Sequence, residues 1–148
     1  MKLILMRHGE ASYGRGDSDK DRPLTDIGHA QARAAGAWLA QQDVGIDAVL
    51  CSSARRTCET LETISQSMAL GVQAQIRDEL YLAGPNSMAQ LIETYSPRPQ
   101  SLLVIAHNPG LGSLASSLSG QRIHFSTAAI AIIDLSQPRG HKVLTFVP

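Results

Sequence analysis

Three short polar runs hold the residue types that could do chemistry: Arg7-His8-Gly9, Ser52-Ser53-Ala54-Arg55-Arg56-Thr57 and His107-Asn108. A guanidinium fork matches the oxygens of a phosphate and keeps its charge, so Arg7, Arg55 and Arg56 favour a phosphate-like anion. A histidine beside such an anion can act as nucleophile, acid or base. Gly9 lets backbone approach a ligand closely. Taken singly, a His or an Arg is more often a hydrogen-bonded core residue or a solvated charge. The reading rests on all three runs arriving at one place.

Hydrophobic periodicity shows how they can. Lys2–Met6 is a short apolar run that reads as a buried strand ending at Arg7. Residues 10–24 are polar and broken by Gly14, Gly16 and Pro23, a loop long enough to suspect a function. Thr25 caps a helix to about Gln42, with Ile27, Ala30, Ala34, Ala37 and Trp38 on one face. Asp47–Cys51 is a second strand, after which Ser52 or Ser53 caps a helix to about Met68. Val72–Arg77 alternates as a third strand, and Ser87–Tyr95 is a short helix. Ser101–Ala106 is a fourth strand, and His107-Asn108-Pro109-Gly110 turns the chain into a helix to about Leu118. Ala128–Leu135 and Lys142–Val147, joined through Pro138-Arg139-Gly140, predict an antiparallel closing pair.

Strands alternating with helices predict a three-layer α/β/α sandwich around a mostly parallel six-stranded sheet. Each polar run then follows a strand, and in such sheets the ligand crevice lies beyond the carboxyl ends of the strands. Two helices begin there and can offer N–H groups to an anion.

Composition narrows the classes. The chain has 148 residues, one domain's worth (1–148), and 43% are hydrophobic, enough for a packed core. Thirteen Lys and Arg balance thirteen Asp and Glu, which disfavours nucleic acid and anionic membranes as general partners. No apolar run nears the roughly 20 residues of a transmembrane helix. Two cysteines make no disulfide framework, and the chain reads as intracellular and cytoplasmic.

Rival motifs fail on spacing. A thiol phosphatase needs Cys-x5-Arg, but only four residues separate Cys51 from Arg56 and the required position is Thr57, so Cys51 reads as a strand residue. Asp17-x-Asp19-x-Asp21 suggests calcium, yet Arg22 replaces the needed Gly and Gly28 the closing Glu. No Gly-x4-Gly-Lys loop occurs.

Four ordered segments together resemble the histidine phosphatase superfamily, with its phosphoglycerate-mutase-like fold. They are Arg7-His8-Gly9, Pro23-Leu24-Thr25-x-x-Gly28-x-x-Gln31-Ala32, Ser52-x-x-x-Arg56-Thr57-x-x-Thr60 and Val104-Ile105-Ala106-His107-Asn108-Pro109. They span the first strand to about residue 110. The compact length, with Asp21-Arg22-Pro23-Leu24-Thr25 and His107-Asn108-Pro109-Gly110, is most similar to the small phosphohistidine phosphatases of the SixA type. Ser53 stands where the family often has Pro, and Thr57 where Ala is usual.

The resemblance implies His8 as nucleophile, forming a phosphohistidine that water hydrolyses. Arg7, Arg56 and His107 would hold the phosphoryl oxygens, with Gly9 and Asn108 in the binding shell. No metal or other cofactor is needed, because guanidinium groups supply the positive charge. Family register selects Arg56 over Arg55. The family's general acid falls on Glu79, for which a solvated loop carboxylate is an equal reading. Arg15, Lys20 and Arg22 could meet phosphate or an acidic partner, or be neutralised by Asp17, Asp19 and Asp21. His29, His124 and His141 fit no motif and read as structural or exposed. Larger members carry an inserted subdomain over the site. Here roughly twenty residues join the third and fourth strands, with one short helix. That leaves an open site suited to a phosphorylated protein, such as a histidine phosphotransfer domain. A small phosphate ester (a sugar or nucleotide phosphate, or a mutase substrate) is the alternative, and a non-catalytic phospho-ligand module a third.

Overall fold

The computed structural model describes residues 1–13, 16, 18–136 and 143–148. Gly14, Arg15, Asp17, the Pro138-Arg139-Gly140 connection, His141 and Lys142 lie outside the described residues, so the expectations for them are not addressed by it.

Strands β1 (Lys2–Arg7), β2 (Ala48–Ser52), β3 (Ala74–Arg77), β4 (Ser101–Ala106), β5 (Ile130–Asp134) and β6 (Val143–Phe146) form one sheet. Their order is β3-β2-β4-β1-β5-β6. Pairs β3/β2, β2/β4 and β4/β1 are parallel; β1/β5 and β5/β6 are antiparallel. The sheet is therefore mixed and mostly parallel, with β5 alone running backwards. Strands β1, β2 and β4 are buried on both faces, which explains their unbroken apolar runs.

Helices α1 (Asp26–Ala40) and α2 (Arg55–Ser67) cover one face, and α3 (Pro85–Glu93) and α4 (Gly110–Ser119) the other. The first core gathers Ile4, Met6, Leu39, Val49, Ile64 and Ile105; the second gathers Leu3, Leu5, Leu50, Met88, Val104 and Phe125. The connection between β3 and β4 holds only a 3-10 turn (Asp78–Leu80) and α3, with no large insertion.

Two local expectations are corrected. The buried face of α1 is Gly28, Ala32, Ala35, Gly36 and Leu39, while Ile27, Ala30, Ala34 and Ala37 are exposed. The helical period is as read, but its phase is displaced by one residue. The helix meets α2 through its smallest residues: a Cβ on Gly36 would stand 3.1 Å from Ile64 Cα. Trp38 lies half-buried and stacks on Phe146 at 5.1 Å. The second correction is the start of α2. Its N-cap is Ala54, without a side-chain cap, because Ser52 and Ser53 are engaged elsewhere. Thr25 does cap α1, accepting from Gly28 N.

The loop after β1 is set against the start of α1 by two glycines. A Cβ on Gly9 would meet the Gly28 carbonyl oxygen at 2.6 Å, and one on Gly28 would meet Glu10 O at 2.1 Å. Neither neighbour is a side chain that can swing away. Gly28→Ala is expected to destabilise the chain by about 1–3 kcal/mol, through overpacking against backbone. The shift of the urea midpoint between wild type and G28A checks this, and an unchanged midpoint would contradict the contact.

Candidate active site

Because β1 and β4 are parallel neighbours, with Arg7 paired to Ala106, the residues after them emerge side by side. His8 and His107 consequently face each other, ring centroids 5.2 Å apart. Strand β2 pairs with the other edge of β4, which places Ser52 and the first turn of α2 next to His107.

Arg56 joins the two rings. Its guanidinium is almost wholly buried, with 4% side-chain exposure. Nε donates to His8 Nε2 at 3.3 Å, and Nη2 to His107 Nδ1 at 3.3 Å. These contacts define both tautomers. His8 donates from Nδ1 to the Gly9 carbonyl at 2.7 Å, leaving the Nε2 lone pair free of a proton. His107 donates from Nε2 to Ser52 Oγ at 2.7 Å, leaving Nδ1 as acceptor. Ser52 is thus the orienting partner of the second histidine, not a helix cap.

The outer edge of Arg56 meets Asp19. Nη1 donates to the Asp19 carbonyl at 2.7 Å and Nη2 to its Oδ2 at 3.2 Å. Asp19 also accepts from Arg22 Nη1 at 3.0 Å and from the Tyr81 hydroxyl. These donors, the Tyr81 hydroxyl foremost, hold the Asp19 carboxyl below its ordinary range. Tyr81 presents its ring at 88° to that of His107, with centroids 5.6 Å apart. Asp19 and Tyr81 were both missed from sequence. Asp19 looked like one of three interleaved aspartates, and Tyr81 belongs to no motif.

Arg7 and Asn108 share one acceptor, the Phe125 carbonyl, at 3.0 Å from Arg7 Nη1 and 2.8 Å from Asn108 Nδ2. Arg7 Nε and Asn108 Oδ1 are buried and unpartnered among the described residues. Ala128, buried with φ +56°, donates its N–H to the His8 carbonyl at 2.9 Å. This left-handed backbone costs roughly 1 kcal/mol for a residue with a Cβ. It is retained where it braces the histidine. The Gly9 N–H is spent on Thr60 Oγ1 at 3.0 Å, so this glycine serves close packing and does not offer its N–H to a ligand.

The remaining candidates separate. Arg22 reaches the cluster through Asp19 and is anchored by Ser12 O at 2.7 Å. Arg55 is half-exposed and pairs with Glu59 at 2.7 Å. Glu79 is not brought into the cluster: its side chain is 60% exposed and pairs with Arg77 at 3.4 Å. His29 bonds Thr63 Oγ1, and His124 lies exposed on the loop before β5. Among the described residues, no group of three or more His, Cys, Asp or Glu is arranged to hold a metal ion.

The electrostatics favour neutral rings. Burial pushes His8 down to about 4, with Arg56, Arg7 and Arg22 adding to the shift against the Gly9 hydrogen bond. Burial, then His8 and Arg56, push His107 down to about 3. Two neutral imidazoles beside Arg7, Arg22 and Arg56, with Asp19 as counter-charge, make a net cationic pocket with one unprotonated nitrogen on each ring.

The sequence model of the histidine phosphatase superfamily (branch 1) matches residues 3–81. The chain belongs to this superfamily. It is 34% identical to phosphohistidine phosphatase SixA of Escherichia coli (strain K12), over 93% of this chain and 87% of that protein. It is 32% identical to a SixA homolog of Haemophilus influenzae, over 88% of this chain and 86% of the other. A solved structure of the protein histidine phosphatase SixA complexed with tungstate superposes with a TM-score of 0.83. That match has 32% identity and covers 97% of this chain and 94% of the other. Among the described residues, no helix is long and apolar enough to cross a membrane.

The depressed histidines set a pH signature. In the unfolded chain both take protons near 6.5; in the folded chain they stay neutral well below that. Below about 6.5 the unfolded state therefore binds more protons, and stability decreases as the pH is lowered. The contribution is complete above about 6.5 and is lost progressively toward the folded values of about 4 and 3. Nitrogen chemical shifts of the ligand-free protein should show no titration of either ring between pH 7 and 5.5. A midpoint near 6.5 for His8 would refute the buried neutral ring.

Proposed function

We propose that the chain is a phosphohistidine phosphatase acting on phosphorylated proteins, with His8 as nucleophile. The observation that carries this is the 2.7 Å bond from His8 Nδ1 to the Gly9 carbonyl, which leaves the Nε2 lone pair as the only nucleophilic site on the ring. Nε2 attacks phosphorus in line, the P–N bond to the substrate imidazole breaks, and phosphoryl rests on His8 until water displaces it. The weak 3.3 Å contact from Arg56 Nε gives way to a phosphoryl oxygen, a far stronger acceptor. Arg56, Arg7 and His107 then stabilise the spread negative charge of a loose transition state. A tungstate-bound SixA structure supports a tetrahedral oxyanion as ligand here.

The substrate class follows from proton supply. An alkoxide leaving group has a conjugate acid near that of water, about 15.7, and needs a placed donor. Imidazole, at about 6.5, leaves protonated at little cost. Among the described residues neither candidate carboxyl offers a proton to the cluster: Glu79 is turned to Arg77, and the Asp19 carboxyl is held below its ordinary range. A protein-sized substrate fits the uncovered site. A groove of about 770 Å³, lined by Asn108, Gly112, Ser113, Ser116, Arg122 and Phe125, runs on from it along α4. A histidine phosphotransfer domain is the partner this reading favours, with action inside the cytoplasm.

Two measurements test the reading. Alkaline quench of the working enzyme should trap a phosphoenzyme that is stable in base and lost in acid, and His8→Ala should abolish it together with turnover. Turnover retained in H8A would remove His8 from the role. Separately, Glu79→Gln should leave kcat/KM for phosphohistidine within about twofold. A fall of about 10²-fold, the usual scale for losing a proton donor, would make Glu79 the acid after all. Activity on sugar phosphates but none on phosphohistidine would establish the small-ester alternative.

A further inference from the structure

The two cysteines have no part in the proposed mechanism, yet both flank its residues. Cys51 is the residue before Ser52, the partner of His107, and Cys58 lies two residues beyond Arg56 on the first turns of α2. Both thiols converge on one acceptor, the Ser52 carbonyl, with Sγ–O distances of 3.3 Å for Cys51 and 3.6 Å for Cys58. Thr57 Oγ1 donates to the same oxygen at 2.7 Å. Both are free thiols; Cys51 is fully buried and Cys58 partly exposed.

We propose that Cys51 and Cys58 form a peroxide-responsive dithiol whose disulfide switches off the adjacent active site. The geometry supplies the parts of such a pair: a partly exposed thiol to meet the oxidant, and a second thiol converging on the same carbonyl to resolve it. The neighbouring Cys51 thiol lowers Cys58 to about 7, and Cys51 is itself raised, by Cys58 and by burial. Lys20 favours the Cys58 thiolate, while partial burial and Glu59 oppose it. The shift favours the reactive thiolate on the exposed member of the pair.

The chemistry balances with hydrogen peroxide as oxidant. The Cys58 thiolate attacks one peroxide oxygen and the O–O bond breaks. The departing hydroxide takes a proton, leaving Cys58 as sulfenic acid. The Cys51 sulfur then attacks the Cys58 sulfur, the S–O bond breaks, and water leaves with the thiol proton. Two thiols and one peroxide become one disulfide and two waters, each sulfur losing one electron. A dithiol reductant reverses the change by exchange.

The consequence for the site is local. Once the sulfurs are bonded, the Ser52 carbonyl loses both thiol donors and the end of β2 is tied to the opening turns of α2. Ser52 and Arg56, the groups that orient His107 and both rings, lie on the two tied segments. The disulfide shifts them against each other, because its sulfurs must approach to about 2.05 Å.

The loss of activity rests on the phosphatase reading, whereas the covalent change does not, so the two are read separately. The full chain is treated with hydrogen peroxide at neutral pH. Intact mass and peptide mapping should show a loss of 2 Da from a Cys51–Cys58 link, with both free thiols gone. Hydrolysis of an aryl phosphate should fall at least tenfold and return with dithiothreitol. Cys58→Ser should keep basal hydrolysis and resist peroxide. Mixed disulfides or sulfinic acids without the internal link would overturn the proposal. So would a linked protein that retains full hydrolysis, or equal inactivation of C58S. Absence of aryl phosphatase activity in the reduced wild type would instead count against the phosphatase reading, leaving the mass result to decide the link.

Discussion

A buried guanidinium must find acceptors, and Arg56 governs the site for that reason. Leaving such a cation unpaired inside a protein is far more costly than leaving a neutral donor unpaired. Here its acceptors are two imidazole nitrogens, a backbone carbonyl and one carboxylate oxygen. Only deprotonated nitrogens can accept, so Arg56 and the neutral state of His8 and His107 imply one another. The Gly9 carbonyl and Ser52 hydroxyl complete the arrangement by taking the protons on the far side of each ring. Two unprotonated ring nitrogens and the buried cation between them thus arise from one packing requirement.

The sheet makes this possible through adjacency. Strands β2, β4 and β1 lie side by side and parallel, so three loops distant in sequence open at one rim. The antiparallel β5 adds a fourth contribution from the other direction: the turn before it carries Phe125, whose carbonyl ties Arg7 to Asn108, and Ala128, which braces His8. The helices fill both faces but lend the site only their first turns.

The parts legible in sequence were those with strong local contrast. Apolar runs ending in charged or polar residues exposed β1, β2 and β4, and with them Arg7, His8, Arg56 and His107. The phase of α1 was not legible, because Gly28, Ala32, Ala35 and Gly36 carry little hydropathy contrast and are buried for their size. Glu79 was placed correctly in the chain, after β3, but its direction depends on Arg77, a pairing no spacing rule foretells. Asp19 was hidden for the opposite reason. Charges that alternate along a loop look self-neutralised, and only the folded chain shows which carboxylate turns inward to Arg56.

The short β3–β4 connection has a consequence for how such a molecule discriminates. An enclosed pocket reads the whole substrate; an uncovered rim reads a phosphoryl group and whatever happens to be held next to it. Selectivity then becomes a matter of residence, set by how long a phosphorylated neighbour stays at the surface. Joining the chain to a chosen neighbour by a flexible linker raises the local concentration to the millimolar range. Choice of target becomes a property of the tether, while the catalytic rim itself stays unchanged.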